Sequence, residues 1–176
     1  MEEKKLESTL LYDGKVVHLV LDKVLCQNGN VANREIVHHN GGAGVLCLND
    51  KEEVLLVRQF RYAYKEELLE IPAGKLEINE DPYDAAIREL EEETANKANE
   101  LKYLGCIYPT CGYSDEKIYL YLALNTLITK TNFDEDEFIE SKFYPLNLVL
   151  EMIKDGRIKD GKTICAIQYY LLNKNN

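Results

Sequence analysis

Glu89, Glu92 and Glu93 stand at i, i+3 and i+4, so on a helix turning ~100° per residue their carboxylates share one face. Like charges at this spacing repel by roughly a few tenths of a kcal/mol per pair, and a shared divalent cation turns that cost into attraction. An oxygen-only donor set, without His or Cys, selects Mg2+ or Mn2+ over zinc. The competing explanation is a solvated acidic face, and for a charge run alone it is the more frequent one. Against it stand Gly74 in the preceding loop, the isolated Glu80, and Arg88 beside the cluster.

A helix is expected from about Pro82 to Asn96, with Asp81 as N-cap and Pro82 at its first position. Ile87, Leu90 and Thr94 fall on the adjoining face, where they can pack on a sheet. The runs Val45-Leu46-Cys47-Leu48 and Val54-Leu55-Leu56-Val57 read as buried strands. Gly41-Gly42-Ala43-Gly44 precedes them without a following helix or Lys-Ser/Thr, which excludes a P-loop. Further strands are expected at Leu68 to Ile71 and near 101–108, 117–124 and 138–144. An acidic loop lies at 134–137, and two helices follow Pro145, separated by Asp155-Gly156. This order of elements predicts an α/β domain, a sheet sandwiched between helices, over residues 41–176. Before it, residues 10–39 alternate in the β manner around a hairpin turn at Asn28-Gly29. Residues 1–40 are therefore expected to form a small N-terminal antiparallel extension.

Composition narrows the function. The chain of 176 residues has a formal net charge of −10 and no basic run, so it lacks the cations that nucleic-acid binding requires. An anionic substrate would have to be neutralised locally, by a bound cation and a few placed arginines. Five cysteines, odd in number and with no CxxC pair, argue against a disulfide framework or a zinc knuckle. The charged N-terminus MEEKKLESTL has no apolar stretch of a secretory signal, and no apolar run approaches membrane-spanning length. A cytoplasmic protein without a membrane partner is expected.

Gly74, Glu80, Arg88, Glu89, Leu90, Glu92 and Glu93 match, at the right spacing, seven defined positions of the Nudix box. In that box a glycine is followed, after five intervening residues, by a glutamate, and after seven more by Arg-Glu-aliphatic-any-Glu-Glu-any-Gly-aliphatic. Two positions depart: Ala95 stands for the glycine and Asn96 for the last aliphatic. Both lie beyond the carboxylates and bear on how the helix terminates, since a left-handed residue there favours glycine.

Over roughly residues 10–172 the chain resembles the ADP-ribose pyrophosphatase branch of the Nudix hydrolases. The resemblance implies a Nudix α/β/α sandwich with a mixed sheet, and a homodimer formed with the help of the N-terminal extension. It implies metal-dependent hydrolysis of the ADP-ribose diphosphate to AMP and ribose 5-phosphate. Glu89 and Glu93 would be the principal metal ligands, joined by Glu92 and the Ala73 carbonyl, with Arg88 orienting the carboxylates. Arg34, Glu35, Arg61 and Glu116 would contact substrate. Glu135 or Glu137, in the late acidic loop, would activate water, and spacing alone does not rank them.

Simpler roles stand beside these. Arg34 and Arg61 can be salt-bridge residues, residues 134–137 a solvated turn, and His38 and His39 ordinary strand-end residues. Cys111 takes the place of a proline that marks ADP-ribose specificity in the branch, which loosens the substrate assignment. The alternatives are a hydrolase of another nucleotide sugar or dinucleotide, and a non-catalytic module that senses ADP-ribose or NAD. The intact carboxylate set speaks against a sensor.

Overall fold

Alternating side chains and tight turns shape the N-terminal residues into a meander. A computed structural model of the chain describes residues 2–128 and 139–174. In it, β1 (Lys4–Asp13), β2 (His18–Leu25) and β3 (Val31–His38) pair antiparallel in the order β1-β2-β3. Gly29, at φ 82°, turns the β2–β3 hairpin, with the Cys26 amide donating to the Asn30 carbonyl at 2.8 Å. The first strand begins earlier than its weak alternation suggests, because pairing with β2 carries it from Lys4. The run from Lys15 to Leu25 is likewise interrupted: the Gly14 amide donates to the Val17 carbonyl at 3.0 Å and closes a turn ahead of His18. Every residue of β1 is exposed, Leu6, Leu10, Leu11 and Tyr12 among them.

Met1–Gly41 and Tyr108–Lys117 form one compact unit. Within it the Val37 amide donates to the Tyr113 carbonyl at 2.7 Å, and the Asp115 amide donates to the Val37 carbonyl at 3.2 Å. The later segment thus lies along β3.

The second unit, Gly42–Ile107 with Ile118–Asn176, runs β4 (Gly42–Leu48), β5 (Glu53–Arg61), β6 (Glu66–Glu70), β7 (Ala73–Lys75), α1 (Pro82–Thr94), β8 (Asn96–Lys97), β9 (Leu101–Ile107), β10 (Ile118–Leu124), β11 (Leu127–Ile128), β12 (Glu140–Pro145), α2 (Leu146–Lys154) and α3 (Gly161–Asn173). Its main sheet is ordered β12-β5-β4-β10-β9, with β6 on β5 and β7 on β4; β8 and β11 make a separate short ladder. β4 and β10 are parallel and the other pairs antiparallel, so the sheet is mixed.

β4 is buried along its whole length, which explains its unbroken apolar run. Its side chains alternate between two cores. Ala43, Val45 and Cys47 join Ala85, Ala86 and Leu90 of α1. Leu46 and Leu48 join Val149 and Met152 of α2 and Ala166 and Ile167 of α3. This is the expected α/β/α sandwich. Fully buried Leu90 alone contributes about 1.5–3 kcal/mol of apolar transfer, and it fixes which face of α1 remains for chemistry.

α1 starts as expected: Asp81 Oδ1 accepts from the Tyr83 amide at 2.8 Å, and Pro82 follows the cap. It ends at Thr94, because Ala95 turns into the left-handed region (φ 54°, ψ 23°) and its amide donates to the Glu91 carbonyl. An alanine in that conformation costs roughly 1–2 kcal/mol. Asn96, one residue on, leaves the helix to pair in β8. It is 8% exposed; its amide nitrogen Nδ2 donates to the Thr94 carbonyl at 2.8 Å, and its Oδ1 accepts from Thr126 Oγ1 at 2.8 Å. A polar side chain is thus accommodated where the box has an aliphatic one.

Candidate active site

Arg88 gathers the acidic face of α1. Its Nε and Nη2 donate to the two oxygens of Glu80 at 2.9 and 3.0 Å, while Nη1 donates to Glu89 at 2.8 Å and Glu92 at 3.1 Å. One guanidinium therefore links the loop glutamate to two of the three helix carboxylates. The hydrogen bond to Glu80 raises the Arg88 pKa and in turn holds the Glu80 carboxyl below its usual range. Glu80 also accepts from the Glu77 amide at 2.8 Å, which folds the loop back on itself ahead of the helix.

Glu93, the third carboxylate, is 5% exposed and accepts from the Ala73 amide at 2.9 Å. This brings it to β7, the strand that also carries Gly74. A Cβ built on Gly74 would lie 1.8 Å from Glu89 Oε1. The box glycine is therefore the space in which the Glu89 carboxylate rests. These contacts put Ala73, Gly74, Glu89 and Glu93 together, with Glu92 joined to them through Arg88. The donors are all hard oxygens, which fits Mg2+ or Mn2+. Among the described residues, no three His, Cys, Asp or Glu side chains converge on one point as they stand. Holding a cation would call for carboxylate rotations of the kind that Arg88 and the Ala73 amide now restrain.

Arg61, at the end of β5, is bidentate to Glu70, the last residue of β6: Nε donates to Oε1 at 2.7 Å and Nη2 to Oε2 at 2.6 Å. Lys162 of α3 also donates to Glu70 Oε2. Burial works to raise the Glu70 pKa, but the bonds and charges of Arg61 and Lys162 outweigh it and leave the carboxyl below its usual range. Glu93 and Asp160 act on Arg61 through their charge. Arg61 is thus a salt-bridge residue in the neighbourhood of the helix carboxylates.

In the first unit, Arg34 of β3 donates to Glu3 through Nε at 3.1 Å and Nη2 at 2.5 Å, and Glu35 is exposed beside it. Glu116 lies 3.5 Å from His39 Nδ1, and Asp115 accepts from His38 Nδ1 at 2.5 Å and from the His39 amide at 3.0 Å. The two histidines therefore tie the 108–117 segment to the end of β3, a role beyond that of plain strand-end residues. A cavity of about 230 Å³ is lined by Tyr108, Cys111, Ser114, Asp115, Glu116 and Lys117. Cys111 is exposed and forms part of its wall.

Glu135 and Glu137 lie outside the described residues. Glu70, Asp160 and Lys162 were not singled out from sequence as site residues, since Lys162 and Glu70 are 92 positions apart. A weak signal existed: Glu70 is a charged residue directly before Ile71-Pro72 in an otherwise apolar strand end.

Residues 38–167 match the NUDIX domain family. An ADP-ribose pyrophosphatase of Bacillus subtilis (strain 168) is 39% identical over 176 residues, covering 99% of this chain and 95% of that protein. A methanol dehydrogenase activator of Bacillus methanolicus is 38% identical over 175 residues, covering 98% and 95%. The crystal structure of an ADP compounds hydrolase shares the fold with a TM-score of 0.85 at 18% identity, over 98% of this chain and 94% of that one. A family match across most of the chain, with relatives this similar along nearly all of it, shows that the chain belongs to the NUDIX family and is a Nudix hydrolase.

Proposed function

We propose that this chain is a cytoplasmic, divalent-metal-dependent hydrolase of the ADP-ribose diphosphate, releasing AMP and ribose 5-phosphate. The observation that carries the reading is the acidic face of α1, where one arginine and one bare glycine hold Glu80, Glu89 and Glu92 in place and the Ala73 amide holds Glu93 beside them. Glu89 and Glu93 would hold the cation, with Glu92 and the Ala73 carbonyl contributing. Bound Mg2+ or Mn2+ would neutralise charge on the diphosphate and lower the pKa of water, so that it gives up a proton more readily and becomes a better nucleophile. Arg88 keeps the carboxylates oriented. Arg61 meets the diphosphate, and Arg34, Glu35 and Glu116 contact the remainder of the substrate. Glu135 or Glu137 takes the proton from water. Residues 1–40, with β1 exposed along its whole length, serve as the dimerisation extension to the hydrolase domain at 41–176.

Among the described residues no helix is long and apolar enough to cross a membrane, and the five cysteines are free, as a reducing compartment would keep them. Relatives named for ADP-ribose hydrolysis support the substrate. A second reading, another nucleotide sugar or dinucleotide, is favoured by Cys111 in the cavity wall. A panel of ADP-ribose, other nucleotide sugars, dinucleotides and triphosphates, each with Mg2+ or Mn2+ and with products identified, tests both. ADP-ribose should have the highest kcat/KM; a clear preference for another nucleotide sugar or a dinucleotide selects the second reading, and one for a triphosphate refutes both. Binding without turnover of any of them would leave a sensor.

A further inference from the structure

We propose that Lys162, acting through Glu70, sets the position and effective charge of Arg61, and so is a positioning residue for the substrate diphosphate. The inference rests on the reading that Arg61 meets that diphosphate.

Glu70 is one negative charge shared by two cations. Its side chain is 3% exposed, that of Lys162 11%, and that of Arg61 40%. Glu70 takes two donors of Arg61 and one of Lys162. A guanidinium has five donors, and among the described residues no hydrogen bond of Arg61 Nη1 is present; the group is the most exposed of the three. Its remaining donors are therefore open to an anion.

Lys162 is held independently of Arg61. Its ammonium donates to Asp160 Oδ1 at 3.0 Å. Asp160 Oδ2 in turn accepts from the Thr163 amide at 2.9 Å and its hydroxyl at 2.5 Å. Thr163 Oγ1 accepts from the Ile71 amide at 2.8 Å, which locks the start of α3 to the residue after Glu70. A buried ammonium is costly, and here it competes with Arg61 Nη2 for the same oxygen, Oε2, of Glu70. Without Lys162, Glu70 would pair with Arg61 alone, bind it more strongly at the same distance, and offset the charge that attracts phosphate. A purely structural lysine would instead affect stability and leave substrate affinity as it was.

The test is steady-state kinetics at saturating Mg2+ on whichever diphosphate the panel selects, with melting temperature measured in parallel. Should that compound be something other than ADP-ribose, the substrate reading fails while this test stands, because Arg61 faces a diphosphate either way. Arg61→Gln should raise KM on the order of 10- to 100-fold, the worth of a charge-assisted hydrogen bond. Lys162→Gln should raise KM at least about threefold, as coupled neighbours do, with kcat within about twofold. Lys162→Arg should restore it. In the Arg61→Gln background, Lys162→Gln should change KM by less than about twofold.

Asp160→Asn keeps a good N-cap for α3 and leaves Lys162 to Glu70, so it should lower KM; it serves if Lys162→Gln does not fold. An unchanged KM in Lys162→Gln, or in Asp160→Asn where that variant has to be used, overturns the proposal, whatever the melting temperature does. So does the same fold-change in both Arg61 backgrounds. An unchanged KM in Arg61→Gln overturns both this proposal and the phosphate role of Arg61.

Discussion

Replacing Gly74 by alanine should separate folding from catalysis. The glycine is not in the left-handed region, so an alanine backbone is allowed there. The new methyl would begin 1.8 Å from Glu89 Oε1, 1.9 Å from Cδ and 2.3 Å from Oε2. Non-bonded contact needs about 3.5 Å, so the carboxylate must retreat by roughly 1.5 Å. Because it is the end of a flexible side chain, the backbone need not move. Displacing the rotamer costs ~0.5–1.5 kcal/mol, against ~0.4–1 kcal/mol gained from a stiffer unfolded chain. The net is within about 1 kcal/mol, a melting shift of roughly 2–4 °C for a chain of this size.

Catalysis should respond very differently. A misplacement of about 1 Å costs ~100-fold, equivalent to about 2.7 kcal/mol in the barrier. Gly74→Ala should therefore fold, melt close to wild type, and lose at least ~100-fold in kcat while needing more metal for half-maximal rate. The measurements are a thermal melt and a Mg2+ titration of initial rate. Wild-type kcat with an unchanged metal requirement would refute the assignment of Glu89. A collapse of the melting temperature would refute the claim that only a side chain must give way.

Other outcomes follow from the same geometry. Chelation should abolish hydrolysis, with excess Mg2+ or Mn2+ restoring it; persistent activity after thorough chelation would remove the metal from the mechanism. Glu93→Gln should need much more metal and lose kcat. Of Glu135→Gln and Glu137→Gln, one should lose ~10²–10⁴ in kcat with metal dependence intact, the contribution of a positioned base; if neither slows more than a few-fold, the base lies elsewhere, with Glu92 the next candidate. The folded pKa of Glu70 lies below its ordinary 4.5. The stability it contributes is thus fully present above pH 4.5 and is lost as pH falls through the lower folded value. Melting temperature followed below pH 4.5 should fall, and fall less steeply in Arg61→Gln; equal slopes would count against the pairing. Light scattering at micromolar concentration should give a dimer, and deletion of residues 1–38 should lose activity, since it also takes from the 108–117 segment the strand that pairs through Val37 and the contact of His38 with Asp115.

What could be read in advance was what local spacing determines. Glu89, Glu92 and Glu93 fall on one face because helix periodicity alone puts them there, and Leu90 faces the sheet for the same reason. The alternation of Val45 to Leu48 did not show two cores, because a strand covered on both sides is apolar throughout. Contacts between distant positions were illegible. Arg61 and Glu70 stand opposite Glu66 and Val57 in the β5–β6 register, so they meet only because the long arginine side chain reaches along the hairpin. Lys162 comes to Glu70 from a helix near the other end of the chain. The 108–117 segment looked like a loop between two strands; its partner is β3, through Val37 and Ser114. The early start of β1 was missed because its alternation is weak and pairing, more than pattern, extends it.

The end of α1 constrains how this sequence can drift. Ala95 carries the cost of a left-handed backbone, and glycine would relieve it at any time without disturbing a side chain. Asn96 is different: its carboxamide receives the Thr126 hydroxyl, and Thr126 in turn lies beside Cys47. An aliphatic residue at 96 would take from that half-buried hydroxyl its oxygen acceptor and leave it the weaker Cys47 sulfur, until position 126 changed as well. The two departures from the family pattern are thus unequally easy to reverse. One is a step that can be retraced singly, and the other is a ratchet that turns back only with its neighbour.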